Sequence, residues 1–171
     1  MNGYRAPVTL VLLFLASLAA YAQDVPFLET PDYAVDAMLE LAQVTQADVV
    51  YDLGSGDGRI VIAAARDRGA SAVGIESDPE LVELSRVNAR EAGVGDRVLF
   101  VEADLFDSDF HEATVVALYL LPKVNRKLRP LLEQQLAPGT RVVSHRFEIP
   151  GWTPSKRIKV GGRVLLLYTV R

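Results

Sequence analysis

The run Asp52-Leu53-Gly54-Ser55-Gly56-Asp57-Gly58 packs three glycines and two carboxylates into seven residues. It follows the apolar stretch Val49 to Leu53 and precedes a helical pattern from Arg59 to Arg68. A loop in that place must turn sharply and let a ligand approach its backbone. Glycine allows positive φ and presents no Cβ to the ligand. A helix starting near Gly58 points its free amide groups at whatever the loop holds. A further acid, Glu76, ends the next apolar run about 20 residues on, where a carboxylate can accept both hydroxyls of a ribose. The ligand so implied carries a nucleoside. A dinucleotide site needs Gly-x-Gly-x-x-Gly, and counting from Gly54 the last position is Arg59. Carboxylates at Asp52 and Asp57 would repel a pyrophosphate, but they suit a cofactor bearing an ammonium and a sulfonium charge. The expectation is S-adenosylmethionine (SAM), with NAD and NADP excluded.

The elements that must position these residues alternate strand and helix. Thr30 reads as an N-cap and Pro31 as the first position of a helix over Asp32 to Ala42. Strands are expected at Val49–Leu53, Ala72–Ile75, Val98–Val101, Thr114–Leu120 and Thr140–Phe147. Helices are expected at Arg59–Arg68, from Asp78-Pro79 to near Gly93, and at Val124–Leu136. Continuous apolar strands alternating with helices predict a parallel sheet covered on both faces. The ending differs. Lys156–Val160 and Arg163–Val170 flank Gly161-Gly162, a two-residue hairpin signal. The first arm alternates charged and apolar residues like a protected edge strand. The second is apolar throughout, like an interior strand.

These motifs resemble class I SAM-dependent methyltransferases. Residues 52–58 are similar to that family's first motif, Glu76 to its ribose-binding acid, and Asp104 in Glu102-Ala103-Asp104-Leu105 to the position that reads the adenine amine. The resemblance covers residues 26–171. It implies a Rossmann-like α/β fold: a seven-stranded, mostly parallel sheet with a C-terminal antiparallel hairpin and helices on both faces. The implied cofactor site is Asp52, Gly54, Ser55, Gly56, Asp57, Gly58, Glu76, Asp104 and Leu105. A narrower likeness lies in Thr30-Pro31, Val49 to Gly54, Leu118-Tyr119-Leu120-Leu121-Pro122 and Pro138 to His145. These resemble the small methyltransferases related to the ATP synthase c-subunit lysine methyltransferases. That likeness implies methylation of a protein lysine amine.

Methyl transfer from a sulfonium is an in-line displacement and asks mainly for alignment. A lysine must also lose its proton, which a dry pocket favours. Tyr119 is the candidate beside the methyl group, because ligands sit beyond the carboxyl ends of strands in such sheets. A core tyrosine tied to a neighbour is the other reading of the same residue. His145 is a candidate proton acceptor, although strand histidines more often pack structurally. Asn125 and Arg126 read as solvated residues, and Arg126, Lys127 and Arg129 as a solvated helix face. Trp152 reads as closing the core beneath a loop.

Composition narrows the classes. The chain has 171 residues and a formal net charge of -4, so nucleic acid is not the expected partner. There are no cysteines and two histidines, His111 and His145, without a His-Glu-x-x-His pattern; no metal site is expected. Nothing in the sequence sets an oligomeric state. Residues 1–22 stand apart: Arg5, the apolar run Val8 to Ala20, and Ala20-Tyr21-Ala22 before Gln23 have the layout of a secretory signal peptide. The expected domains are therefore 1–22, a signal or membrane anchor, and 23–171, the catalytic domain. Location is periplasmic or secreted after cleavage, or else membrane-anchored, with membrane contact confined to 1–22. Without an inserted substrate domain, a protein acceptor is expected. A small-molecule acceptor on the same fold stays open, as does an exported binding module without activity.

Overall fold

A computed structural model describes residues 29–171; the segment 1–22, where a signal or anchor is expected, lies outside the described residues. The elements run α1 (Asp32–Leu41), β1 (Val49–Leu53), α2 (Arg59–Arg68), β2 (Ser71–Glu76), α3 (Pro79–Glu91), β3 (Val98–Glu102), β4 (Val115–Leu118), α4 (Pro122–Gln135), β5 (Arg141–His145), β6 (Lys156–Val160) and β7 (Arg163–Thr169). Among the described residues the sheet has seven strands in the order β3-β2-β1-β4-β5-β7-β6. The first five run parallel, and β7 pairs antiparallel with both β5 and β6. The doubly wound architecture and its closing hairpin are as the sequence predicts.

Strand residues alternate between two cores. Val50, Ala72, Val115, Ala117 and Val143 pack with α1, α2 and α3 on one face. Tyr51, Leu53, Ile75, Val116 and Leu118 pack with Leu128 and Leu132 of α4 on the other. Burial on both sides explains why β1 and β4 read as unbroken apolar runs. In the hairpin, Gly161 and Gly162 both take positive φ, 54° and 82°, as a tight two-residue turn requires. The charged arm β6 is the edge strand and the apolar arm β7 lies inside, as expected.

Four local expectations change. Pro31, not Thr30, is the N-cap of α1, and no side chain caps that end. The Thr30 hydroxyl instead meets His145 Nδ1 at 3.1 Å, a partner 115 residues away. β4 stops at Leu118, so Tyr119 stands one residue beyond the strand. Pro122 then opens α4 two residues earlier than the apolar spacing suggests. β5 stops at His145 because Arg146 turns to φ 68°, a left-handed conformation that ends pairing.

At the opposite, amino-terminal edge of the sheet, Asp48 pins three segments together. Its carboxylate accepts from the Thr45 amide (2.8 Å), the Thr114 hydroxyl (2.7 Å) and the Arg141 guanidinium. Burial alone would raise its pKa, but the Thr114, Thr45 and Arg141 contacts outweigh burial and hold it below the usual carboxylate range. A carboxyl whose pKa is depressed by folding stabilises the fold above its unfolded pKa and ceases to do so as pH falls through the folded value. Asp48→Ala should therefore cost roughly 1.5–3 kcal/mol at neutral pH. In urea denaturation the deficit should shrink as pH falls below 4; a deficit that stays constant down to pH 2 would contradict this role.

Candidate functional site

The sheet reverses its winding between β1 and β4, and the crevice of such a fold opens at the carboxyl ends of those strands. The loop after β1 folds back over the end of β2. The amides of Gly54 and Ser55 both donate to the Ile75 carbonyl, at 2.8 and 2.9 Å. The Gly56 amide donates to Glu76 Oε2 at 2.9 Å. Gly54, Gly56 and Gly58 have φ of 85°, 54° and 81°, so all three occupy the left-handed region that glycine alone enters freely. Gly58 is the N-cap of α2, as the loop-to-helix pattern implies.

Glu76 is fixed from both sides. While Oε2 takes the Gly56 amide, Oε1 takes the amides of Ser77 (2.8 Å) and Asp78 (3.0 Å). The carboxylate is thereby aimed before any ligand arrives. Asp104, exposed beyond β3, accepts the Phe106 amide at 2.8 Å through Oδ1, which leaves Oδ2 to face solvent or ligand. Leu105 is half-buried against the second core.

The two loop acids have different surroundings. Asp52 is 3 % exposed. Burial first, then the charges of Glu76 and Asp57, push its pKa well above the ordinary value, and no donor among the described residues offsets them. Such a group favours a cationic neighbour or a proton. Asp57 is already neutralised: Arg59 reaches it in a bidentate pair at 2.9 and 2.6 Å. Asp52 and Glu76 thus have no basic side-chain partner at the loop, whereas Asp57 has one, and the sequence does not reveal this division.

Beyond β4 and β5 lies an aromatic wall. The rings of Tyr119 and His145 are 4.0 Å apart, tilted by 32°, and the Tyr119 ring stacks on Phe147 at 6.0 Å. His145 is fully buried, and its Nε2 has no partner. Burial, aided by Arg163 and Arg146, lowers its pKa to about 4, so the imidazole is neutral at physiological pH. A base that weak does not suit proton removal from an amine, and the packed-histidine reading prevails.

Asn125 is a correction. It is fully buried, not solvated; its Nδ2 donates to the Glu148 carbonyl at 3.1 Å and ties α4 to the segment after β5. Arg126 is exposed as expected. Lys127 lies 3.7 Å over the Phe106 ring, and Arg129 donates to the Pro150 carbonyl at 3.0 Å, so that helix face is only partly free. Trp152 packs near Tyr168, with Nε1 donating to Glu133 at 2.7 Å, and closes the second core.

This geometry matches known enzymes. The model of the ANTKMT methyltransferase domain matches residues 52–156, from the first loop acid to the start of β6. The chain belongs to this methyltransferase family. It is 49% identical over 142 residues to a protein-lysine N-methyltransferase of Saccharolobus islandicus, covering 82% of this chain and 88% of that one. It is 39% identical over 129 residues to the mouse ATP synthase c-subunit lysine N-methyltransferase, covering 75% of this chain and about half (51%) of the mouse protein. Among solved structures, an RNA methyltransferase from Salinibacter ruber in complex with S-adenosyl-L-homocysteine superposes with a TM-score of 0.83 at 57% identity, covering 84% of this chain and 94% of that one.

Sequence reasoning missed a support that the methyltransferase loop depends on. Gly74 lies in β2 directly beneath the loop. A Cβ there would stand 2.6 Å from Ser55 Oγ and 2.8 Å from the Phe100 ring. Ser85, fully buried in α3, and Phe100 close the same space beneath Gly58. The signal was the small residue two places before the strand-end acid. Gly74→Ala should cost about 1–3 kcal/mol through overpacking. Chemical denaturation measures it, and a loss under about 0.5 kcal/mol would show that the loop tolerates the methyl group.

Proposed function

We propose that this methyltransferase binds SAM in the glycine loop and methylates a lysine amine of a protein. One observation carries the cofactor assignment: the loop sets a buried, uncompensated carboxyl, Asp52, beside the pre-aimed carboxylate of Glu76. Two acids without a cation repel phosphate and attract a positively charged ligand. The S-adenosyl-L-homocysteine complex of the Salinibacter relative supports the same assignment. When bound, SAM supplies a methyl group activated by its sulfonium. The protein's part is to hold and to align. Gly54, Ser55, Gly56 and Gly58 let the loop backbone meet the ligand. Glu76 takes the ribose hydroxyls, and Asp104 and Leu105 take the adenine. Tyr119 flanks the acceptor amine, and the apolar surroundings favour its neutral form.

The Saccharolobus and mouse relatives, both lysine N-methyltransferases, support a protein acceptor. The Salinibacter relative is described as an RNA methyltransferase. Nucleic-acid affinity grows with the number of phosphates neutralised by Lys and Arg. A net charge of -4 and a carboxylate-lined site work against it. The direct test supplies SAM with a labelled methyl group to the enzyme together with separate protein and RNA fractions of a cell extract. Label should appear as methylated lysine after protein hydrolysis; label in nucleosides, with none in protein, would overturn the proposal.

For location, we infer membrane targeting through residues 1–22, with export and cleavage before Gln23. Support comes from Arg5, the apolar run Val8 to Ala20 and the small residues at Ala20 and Ala22. Were the segment retained as an anchor, the chain from Ala20 to Thr30 would span at most about 35 Å. Because Thr30 touches His145, such a tether would keep the site within that reach of the membrane surface. Cell fractionation with N-terminal sequencing decides: a chain starting at Gln23 outside the cytoplasm is expected, and an intact Met1 chain in the soluble cytosol would contradict targeting.

A further inference from the structure

A line of polar contacts runs from the cofactor loop to the aromatic wall. Asp57, in the loop, pairs with Arg59 Nη2 at 2.6 Å. Arg59 Nη1 donates to the Thr30 carbonyl at 3.0 Å, and Nη2 lies 3.3 Å from Glu29. The Thr30 hydroxyl meets His145 Nδ1 at 3.1 Å, and the His145 ring lies against Tyr119. Each contact joins a different segment: the loop, the start of α2, the strap before α1, the end of β5 and the turn after β4. Arginine is suited to this task, because its planar fork grips a carboxylate with one edge while donating elsewhere with the other.

Three features argue that the line does more than hold the fold. Thr30 is the one hydrogen-bonding partner of the His145 ring among the described residues, and Nε2 is buried without any. Packing alone does not account for an imidazole there, since it fixes one ring nitrogen and leaves the other buried without a partner, at a cost to stability. The next residue, Arg146, is held in the left-handed region at φ 68°. Backbone strain of this kind persists where the surroundings over-determine it, and it gathers at functional sites. Finally, Thr30 gives both its carbonyl and its hydroxyl to the line, one to each side, although Pro31 leaves α1 without a side-chain cap.

We propose that Arg59 and Thr30 are positioning residues that transmit the state of the cofactor loop to the wall of Tyr119, His145 and Phe147, setting that wall for the acceptor once the loop is loaded. The proposal rests on the SAM-binding reading above. Neither residue touches the reacting atoms; each acts through the next. Thr30 fixes the imidazole, the imidazole fixes the Tyr119 ring, and Arg59 ties Thr30 to Asp57.

The two histidines make the test practical. His111 is exposed and paired with Asp109, which raises its pKa, whereas His145 is buried with its pKa lowered to about 4; the two sets of imidazole NMR signals separate by titration. S-adenosyl-L-homocysteine is the probe, and calorimetry on the same samples measures its binding. In the native chain, saturation should shift the His145 signals and leave those of His111 in place. Thr30→Val, which keeps the side-chain shape and removes the hydroxyl, should bind the probe with affinity within about twofold of native and lose at least half of the shift. Thr30→Ser should restore it. Arg59→Gln cuts the line at its other end and should lose the shift at saturating probe, which keeps the test available if the valine variant does not fold. Shifts of equal size in the native chain and in the cut variants would mean that His145 senses the ligand directly, and would overturn the proposal. Absence of probe binding by the native chain would remove the SAM-binding reading and this proposal with it.

Discussion

The site depends on how closely the loop after β1 is drawn onto the end of β2. Three successive loop amides are committed there, two to the Ile75 carbonyl and one to the Glu76 carboxylate. That crossing is possible only because Gly74 presents no side chain to Ser55 and because three loop glycines accept positive φ. The same three amides align Glu76 and the mouth of α2 together. A loop carrying a Cβ at any of these places would stand off from β2, and both ends of the ligand site would separate. Close packing around one β2 glycine thus fixes the geometry of the cofactor end.

Electrostatics then select what enters. Asp52, Glu76 and Asp57 converge, and only Asp57 has a cation of its own in Arg59. The buried Asp52 carboxyl is an unfavourable arrangement by itself, the kind of cost a protein carries at a functional site. A positively charged ligand relieves it; a pyrophosphate aggravates it. The proposed acceptor end is built differently. Tyr119, His145 and Phe147 form a neutral aromatic surface, low in charge and suited to an uncharged amine beside a sulfonium. A charged cradle next to a neutral wall is what a transfer from a cation to a neutral nucleophile requires.

Much of this was legible in the sequence because its signals are local. The loop and Glu76 stand at strand ends, so strand periodicity, turn chemistry and their spacing were enough to single them out, whereas Asp104 was named through the family resemblance. The glycine pair at 161–162 revealed the hairpin, and its two arms revealed which one is the edge. What stayed hidden depends on contacts distant in sequence. Thr30 looked like a cap because caps precede prolines, but its hydroxyl serves His145, 115 residues away. Asn125 looked solvated because it sits among Lys123, Arg126 and Lys127, yet the carbonyl of Glu148 draws it inside. Asp57 looked like a ligand-side acid because nothing in the sequence shows which way Arg59 turns. The end of β4 was misplaced because its apolar run continues through Leu121, and that of β5 because nothing in the sequence marks the left-handed turn at Arg146.

The central claim is that Glu76, held by three backbone amides, is the acid that grips the cofactor. Calorimetric titration of the native chain and of Glu76→Ala with S-adenosyl-L-homocysteine tests it most directly. The account predicts stoichiometric binding by the native chain and a loss of roughly 1.5–3 kcal/mol, or about 10- to 150-fold in Kd, in the variant. Unchanged affinity in a Glu76→Ala protein that folds normally would contradict it.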